Sequence, residues 1–543
     1  MVRTRAQARM MDLLHGWSGL ALSYAAVQGP MIAGLAKARA TFSQYVKSPL
    51  VALPLTGIAA AGAAVFASHA VIQVAVAAAA SVVLGYTGGR VIAEDAASSK
   101  LHQRGSQVEE QVPTRRAAFS KQRGRDAAIT LAGVPVPARD EAKHFKLIGT
   151  TGTGKSTAVR EMMSSALARG DRAVIADPDG GYLRRFYQKS RGDVILNPFD
   201  ERSVKWDLFA EVRNPYDVEQ LARSLIPDHE GADRSWRGYA RTFFTSVTRQ
   251  AREGGVSDIG ELYRLLVIAD AGELRHLVRG TPAQPFLEEH NSRMFDSIRS
   301  VTSSAVGALD YISQQKSPQF SIRNWVDDQK SGVLFIPYKA GQIAALGSTI
   351  SAWMRLAIFE TMDHGEENAR LWFVVDELDA LGQIDGLKDA LARLRKFNGR
   401  CVLGFQSIAQ VSSTYGEGAA HTIVENCGNT LILRCSSSEG GGTARFASQL
   451  IGEREVLRTT ESSSRRFTEM FGSVSRSQHF GVESAVLASQ VEQLPDLAGY
   501  LKYASDPTWA RVRLQARNAW QDAKAAAPSA DTSPQRFLGA SRE

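Results

Sequence analysis

Gly149-Thr-Thr-Gly-Thr-Gly-Lys-Ser156 follows a short apolar run and opens a stretch of helical spacing closed by Gly170. The spacing GxxxxGK[ST] has a mechanical reason. Glycines let the backbone wrap a phosphate chain with successive N–H groups pointing inward. Lys155 supplies a point charge for the β- and γ-phosphates, and the Ser156 hydroxyl is placed to ligate Mg²⁺. A helix from Ser156 to Leu167 aims its positive end at the same anion. Gly149, Thr150, Thr151, Gly152, Thr153, Gly154, Lys155, Ser156 and Thr157 are therefore the candidate nucleotide-binding residues, with ATP and Mg²⁺ as ligands.

The second half of the site lies some 220 residues on, in Arg370-Leu-Trp-Phe-Val-Val-Asp-Glu377. An unbroken apolar run reads as a parallel strand covered by helices on both faces. Two acids at its C-terminal end fall where open α/β sheets put their ligands. Asp376 is the candidate partner of Mg²⁺ with Ser156, and Glu377 the candidate base that polarises the attacking water. A placed base argues for hydrolysis as well as binding.

Strand and helix patterns alternate around these two stretches. Residues 144–149, 172–177 and 193–198 read as strands, and Asp177-Pro-Asp-Gly-Gly181 as a turn at the ligand edge of the sheet. The rhythm returns with a strand near 331–338, a helix at 343–362, a helix at 386–396, and strands at 401–406 and 429–434. Six or seven parallel strands with a mid-sheet phosphate loop describe an α/β fold, a RecA-like P-loop NTPase core. It is expected over 141–215 and 321–517. Residues 216–320 have helical spacing and few β-branched runs, so they are read as an all-α domain inserted into that core.

The net charge of +8 is unevenly spread. The first 125 residues hold 14 Lys/Arg against 5 Asp/Glu, leaving 50 against 51 in the rest. The global basicity is thus an N-terminal property and no evidence of nucleic-acid binding. Residues 50–86 carry no Asp, Glu, Lys or Arg. At roughly 17–25 residues per span, this predicts a transmembrane helical hairpin, about 50–67 and 70–86, turning near Ser68-His69. Lysines and arginines on both flanks put both ends in the cytoplasm. Residues 11–36 are a weaker amphipathic stretch, read as an interfacial helix. The anchor is thus 1–90 and a polar linker 91–140. Residues 461–478 read as an exposed hairpin or loop carrying Arg465, Arg466 and Arg476, and 518–543 as a disordered tail. Cys401, Cys427 and Cys435 match no metal spacing and are expected as reduced core residues of a cytosolic domain.

The arrangement resembles the coupling ATPases of type IV secretion, the conjugative TraD/TrwB group, from about residue 143 to 504. The stretches that carry it are Ile148–Thr157, Ala176-Asp-Pro-Asp-Gly-Gly181 with Leu196-Asn-Pro-Phe-Asp200, and Val375-Asp-Glu-Leu-Asp-Ala-Leu-Gly382. Asp389-Ala-Leu-Ala-Arg-Leu-Arg-Lys-Phe397, Gly404-Phe-Gln-Ser407 and Leu494-Pro-Asp-Leu-Ala-Gly-Tyr-Leu501 complete the set. The resemblance implies a homo-hexameric ATPase of the bacterial inner membrane with its motor in the cytoplasm. It would hand relaxase-bound single-stranded DNA, without base reading, to the inner-membrane components of a secretion channel. It also implies that Arg395 reaches the neighbouring subunit's nucleotide, with Arg393 as a rival, and that Gln406 contacts the γ-phosphate or the water. The same chassis could move protein effectors, or act as a docking receptor that recruits relaxase and uses nucleotide only to assemble. A chromosome-segregation translocase fits poorly, because too few residues follow Arg517 for a winged-helix module. The alanine-rich hairpin and its short loop leave little room for a periplasmic domain.

Overall fold

The computed structural model describes residues 5–38, 42–66, 70–97, 100–109, 128–228, 234–363, 369–438, 441–464 and 473–515. The chain forms two compact units, 1–105 with 454–483, and 106–453 with 484–543.

The first unit is built on three helices, α1 (Arg5–Lys37), α2 (Phe42–Phe66) and α3 (Ala70–Ala97). Stretches Gly19–Lys37, Gln44–Val65 and Ile72–Ile92 are each long and apolar enough to cross a membrane. The expected hairpin is therefore part of a three-helix group, and residues 67–69, where its turn was placed, lie outside the described residues. An odd number of crossings would set the two ends on opposite sides, against the expectation of two cytoplasmic ends. The stretch expected as an interfacial helix belongs to α1, which packs on α3. A Cβ on Gly85 would lie 2.2 Å from the Val27 carbonyl oxygen, and one on Gly89 2.3 Å from that of Met31. Gly85 and Gly89 are four apart, so one face of α3 presents bare backbone to α1, as small-xxx-small contacts in membranes do.

The same unit contains a three-stranded sheet of Lys100–Gly105, Glu453–Ser464 and Ser473–Ser484, in that order. Of the polar stretch 461–478, residues 461–464 and 473–478 are strand, and 465–472 lie outside the described residues. Arg465 and Arg466, residues 110–127 of the linker and the tail 518–543 lie outside the described residues.

The second unit is organised by a ten-stranded sheet. Its strands are β1 (Gln107–Glu109), β2 (Phe145–Ile148), β3 (Arg172–Pro178), β4 (Val194–Ile195), β5 (Val333–Tyr338), β6 (Leu371–Val375), β7 (Gly399–Phe405), β8 (Asn429–Ile432), β9 (Ala498–Lys502) and β10 (Thr508–Arg513). Their order is β1-β10-β9-β8-β2-β7-β6-β3-β5-β4. The seven from β8 to β4 run parallel, and β9 and β10 extend the sheet antiparallel. Every residue of β2, β5, β6, β7 and β8 is buried, as a sheet covered on both faces requires. The three cysteines are buried and free.

Helices occupy most of the chain from Asp217–Leu225 to Ala308–Ser313, between the short paired strands Lys205–Trp206 and Gln319–Phe320, and Ile322–Asp327 follows directly. Their starts are capped locally: Asp258, Asp270 and Ser321 accept from the backbone N–H three residues on. Helix Arg234–Glu253 buries Ala240, Phe243, Phe244, Val247 and Ala251, a helical stripe. Glu360, on helix Ile343–Asp363, ties these helices to the sheet layer. It pairs with Arg213 at 3.0 Å and Arg323 at 3.2 Å, and burial pushes its carboxyl up to about 7.

His144 sits just before β2, at the N-terminal ends of the central strands. It is buried with φ 53°; its Nδ1 accepts from Cys401 N at 3.1 Å while Nε2 donates to the Leu391 carbonyl at 2.9 Å. That pairing fixes the neutral ring, and burial pushes its pKa down to about 4. A depressed histidine stabilises the fold above its ordinary value near 6.5 and loses that contribution as pH falls towards 4. The difference is worth about 3 kcal/mol. His144→Asn, which tolerates the left-handed backbone without titrating, is expected to flatten the decline in urea stability between pH 6.5 and 4. An unchanged pH slope would show that another group sets it.

Candidate nucleotide-binding site

The loop 149–154 leaves the C-terminal end of β2 and enters α4 (Lys155–Ala168). Gly152 and Gly154 hold φ of 78° and 117°, conformations that a side chain would strain. A Cβ on Gly154 would also lie 2.8 Å from Leu497 Cδ2. The loop is fixed from outside: Gly149 N donates to the Phe405 carbonyl at 3.3 Å, Thr150 N to that of Arg434 at 2.9 Å, and Leu497 N to that of Thr153 at 2.9 Å. Thr153 Oγ1 donates to the Thr150 carbonyl at 2.7 Å. Thr151 and Gly152 stay exposed at the tip, and Thr157 lies in the first turn of α4.

Lys155 is folded back on its own loop, Nζ donating to the Gly149 carbonyl at 2.6 Å and that of Thr150 at 3.3 Å. Burial lowers its pKa, opposed by Asp376, Glu377 and Asp379. Ser156 Oγ donates to Asp376 Oδ2 at 2.6 Å. Asp376 is 3% exposed, and its Oδ1 is buried without a hydrogen-bond partner among the described residues. The carboxylate sits at the end of β6 against the backbone of β7. A Cβ on Gly404 would lie 2.3 Å from the Asp376 carbonyl oxygen, so position 404 admits no side chain.

Glu377 is partly buried and accepts from Gln406 Nε2 at 3.0 Å; burial, then the charge of Asp376, raises its pKa. Gln406 Oε1 accepts from Thr151 Oγ1 at 2.8 Å, so loop, amide and candidate base form one chain of contacts. The loop and the two carboxylates, read from stretches 220 residues apart, meet at the C-terminal ends of the strands, where Gln406, implied by the resemblance, joins them. Arg393 and Arg395 do not join them. Both are exposed, at the end of α6 (Leu387–Leu394) and in the turn before β7.

Sequence reasoning missed Tyr182, on α5 (Gly181–Phe186), whose hydroxyl donates to Asp376 Oδ2 at 2.7 Å. The turn Asp177–Gly181 was its signal, because it delivers the chain to the ligand edge. Burial pushes Asp177 up to about 6 even though it accepts from Tyr182 N and Leu183 N. Leu497, at φ 64°, was also missed as the residue behind the loop, although it stands in the quoted 494–501 stretch.

Residues 128–515 match the family described as the type IV secretion-system coupling protein DNA-binding domain. The chain belongs to the type IV secretion-system coupling proteins. It is 34% identical over 392 residues to the coupling protein TraD of Escherichia coli (strain K12), covering 71% of this chain and 54% of TraD. It is 24% identical over 328 residues to a conjugal transfer protein TraG of Escherichia coli, 52% of this chain and 49% of TraG. The chain therefore spans about half the length of these curated relatives. Among solved structures, the unbound bacterial conjugative coupling protein TrwBdeltaN70 superposes with a TM-score of 0.68 at 31% identity, covering 77% of this chain and 95% of that one. The plasmid coupling protein TrwB has also been solved with the non-hydrolysable ATP analogue ADPNP and with ADP and Mg²⁺, at TM-scores of 0.68 and 0.67, 30% and 31% identity and the same coverage.

The approach at Gly404 is a sharp test of this coupling-protein site. Gly404→Ala has to push β6 and β7 apart, because the clash is with backbone. A loss of about 1–3 kcal/mol or more is expected in urea unfolding, together with weakened nucleotide binding. Unaltered values in both measurements would show that the strands yield freely.

Proposed function

We propose that this chain is a membrane-anchored, homo-hexameric ATPase of the bacterial inner membrane that drives conjugative DNA transfer. In this reading it passes relaxase-bound single-stranded DNA to a type IV secretion channel, with the nucleotide domain in the cytoplasm. The observation that carries the proposal is the Ser156–Asp376–Glu377–Gln406 constellation in a chain of the coupling-protein family.

The residues fit ATP and Mg²⁺. Glycine backbone forms the phosphate cradle, Lys155 donates to two loop carbonyls that an anion can displace, and Asp376 Oδ1 has no partner among the described residues where a cation is needed. Bound Mg²⁺ supplies charge neutralisation at the phosphates. Ser156 and Asp376 hold that ion, and Glu377 accepts the proton of the attacking water. Gln406 orients Glu377 and offers its amide to the γ-phosphate or the water. A base raised above the ordinary carboxylate range accepts a proton more readily than one left in solvent.

Arg395 can serve only another subunit. It precedes β7 (Gly399–Phe405), while Gln406 follows it, and seven residues of strand span about 20 Å. A guanidinium supplied in trans stabilises charge on the γ-phosphoryl and makes hydrolysis depend on assembly. DNA contact through the backbone predicts affinity that falls steeply with salt.

Glu377→Gln is expected to bind ATP normally, hydrolyse it about 100-fold more slowly and fail in DNA transfer. Arg395→Ala is expected to lose about 10³-fold in single-stranded-DNA-stimulated hydrolysis. Mixing the two inactive proteins should restore part of the rate, because some interfaces then pair an intact Glu377 with an intact Arg395. No recovery would place the arginine elsewhere. DNA transfer by Glu377→Gln would favour the docking-receptor reading.

A further inference from the structure

No residue of the phosphate loop explains why a buried tyrosine should end on the carboxylate at the centre of the site. Tyr182 is 2% exposed, and its hydroxyl donates to Asp376 Oδ2 at 2.7 Å, the oxygen that also accepts from Ser156 at 2.6 Å. Oδ1 of the same carboxylate has no partner among the described residues.

The tyrosine is itself held on independent supports. Asp177 accepts from Tyr182 N at 3.0 Å and from Leu183 N at 2.7 Å, which fixes the start of α5 against the end of β3. The Arg160 guanidinium lies over the ring, 5.8 Å from its centroid. It approaches so closely that a Cβ on Gly181 would stand 3.2 Å from Arg160 Nη2. Ring, hydroxyl and backbone are therefore each constrained by a different group.

We propose that Tyr182 is a positioning residue for Mg²⁺: it pins Asp376 through Oδ2 so that Oδ1 is presented to the ion. The inference rests on the nucleotide-dependent reading above. The terminal torsion of an aspartate is soft and nearly two-fold, so an untethered carboxylate exchanges its oxygens. Two donors converging on one oxygen remove that freedom. Ser156 cannot do this alone, because its oxygen would itself be a ligand and it sits in the first turn of α4, directly behind the phosphate loop. Tyr182 provides a second tether from a different element. Partners of this kind orient the groups that hold a metal, and losing one commonly costs 10–100-fold in metal affinity.

The test uses the full-length protein in lipid nanodiscs and a fluorescent non-hydrolysable ATP analogue, titrated with Mg²⁺ and separately in EDTA. Tyr182→Phe keeps the ring and deletes only the hydroxyl. Its affinity in EDTA should equal that of the unaltered protein, while the Mg²⁺ concentration for half-maximal binding rises at least about tenfold. An unchanged Mg²⁺ requirement overturns the proposal. So does an equal loss with and without Mg²⁺, or a thermal melt in EDTA showing that the variant does not fold, since the hydroxyl would then be a packing group. If the unaltered protein shows no Mg²⁺-dependent binding, the nucleotide reading itself fails, a result distinct from failure of the tyrosine's role.

Discussion

Burial of the Asp376 carboxylate at the end of β6 is the constraint on which the rest of the site depends. An ionised group that is 3% exposed is tolerated only when its oxygens find donors or a cation. Oδ2 has Ser156 and Tyr182; Oδ1 has none among the described residues. Leaving a buried acceptor unmet costs about 1–3 kcal/mol, and more for a charged group, so the carboxylate is a standing demand for a positive ligand. Lys155 makes the complementary demand: a buried ammonium resting on carbonyls of its own loop is satisfied better by an anion. The bare backbone at Gly404 lets β7 approach closely enough to bring Gln406 beside Glu377.

The chemistry of this site was legible because its two halves are each local in sequence. A phosphate loop needs glycines at fixed spacing, and a parallel strand needs an unbroken apolar run, as in Leu371–Val375. The strand segments read near 144–149, 172–177, 331–338 and 401–406 all contain strands of the sheet for the same reason. Tyr182 was missed because the turn Asp177–Gly181 shows only that the chain reaches the ligand edge, not that the tyrosine after it caps a carboxylate 194 residues away. Leu497 was illegible as a loop support because its role is a backbone N–H in a left-handed conformation. The strand residues 461–464 and 473–478 were open between loop and hairpin because a serine- and arginine-rich sequence lacks an apolar alternation to declare a buried face.

The N-terminal helices show a different limit. Residues 50–86 stood out because no charged residue interrupts them, whereas the apolar stretch of α1, Gly19–Lys37, is the least hydrophobic of the three and reads as interfacial. What binds α1 to α3 is the absence of side chains at Gly85 and Gly89. In a lipid environment close packing of this kind replaces the hydrophobic drive that joins helices in water. The relevant signal was therefore small residues four apart on α3, which an average over apolar residues discards.

The position of Arg395 joins the geometry of one chain to the logic of assembly. The ligand edge of this sheet gathers carboxylates from two strand ends, Asp177 near the end of β3 and Asp376 and Glu377 after β6, while Tyr338 at the end of β5 has its pKa raised by burial and then by these same charges. A nucleotide entering there brings more negative charge to a place where the loop contributes Lys155. The strand that carries Gln406 to the site holds Arg395 at its opposite end, so shortening that distance inside one subunit would mean dismantling β7. Under the proposed function, charge compensation for the reacting phosphoryl is then completed by a neighbour, and the subunit alone is built to bind without turning over. On that reading hydrolysis becomes a property of the assembled ring, the arrangement a membrane-bound motor would need in order to consume ATP only when gathered around its cargo.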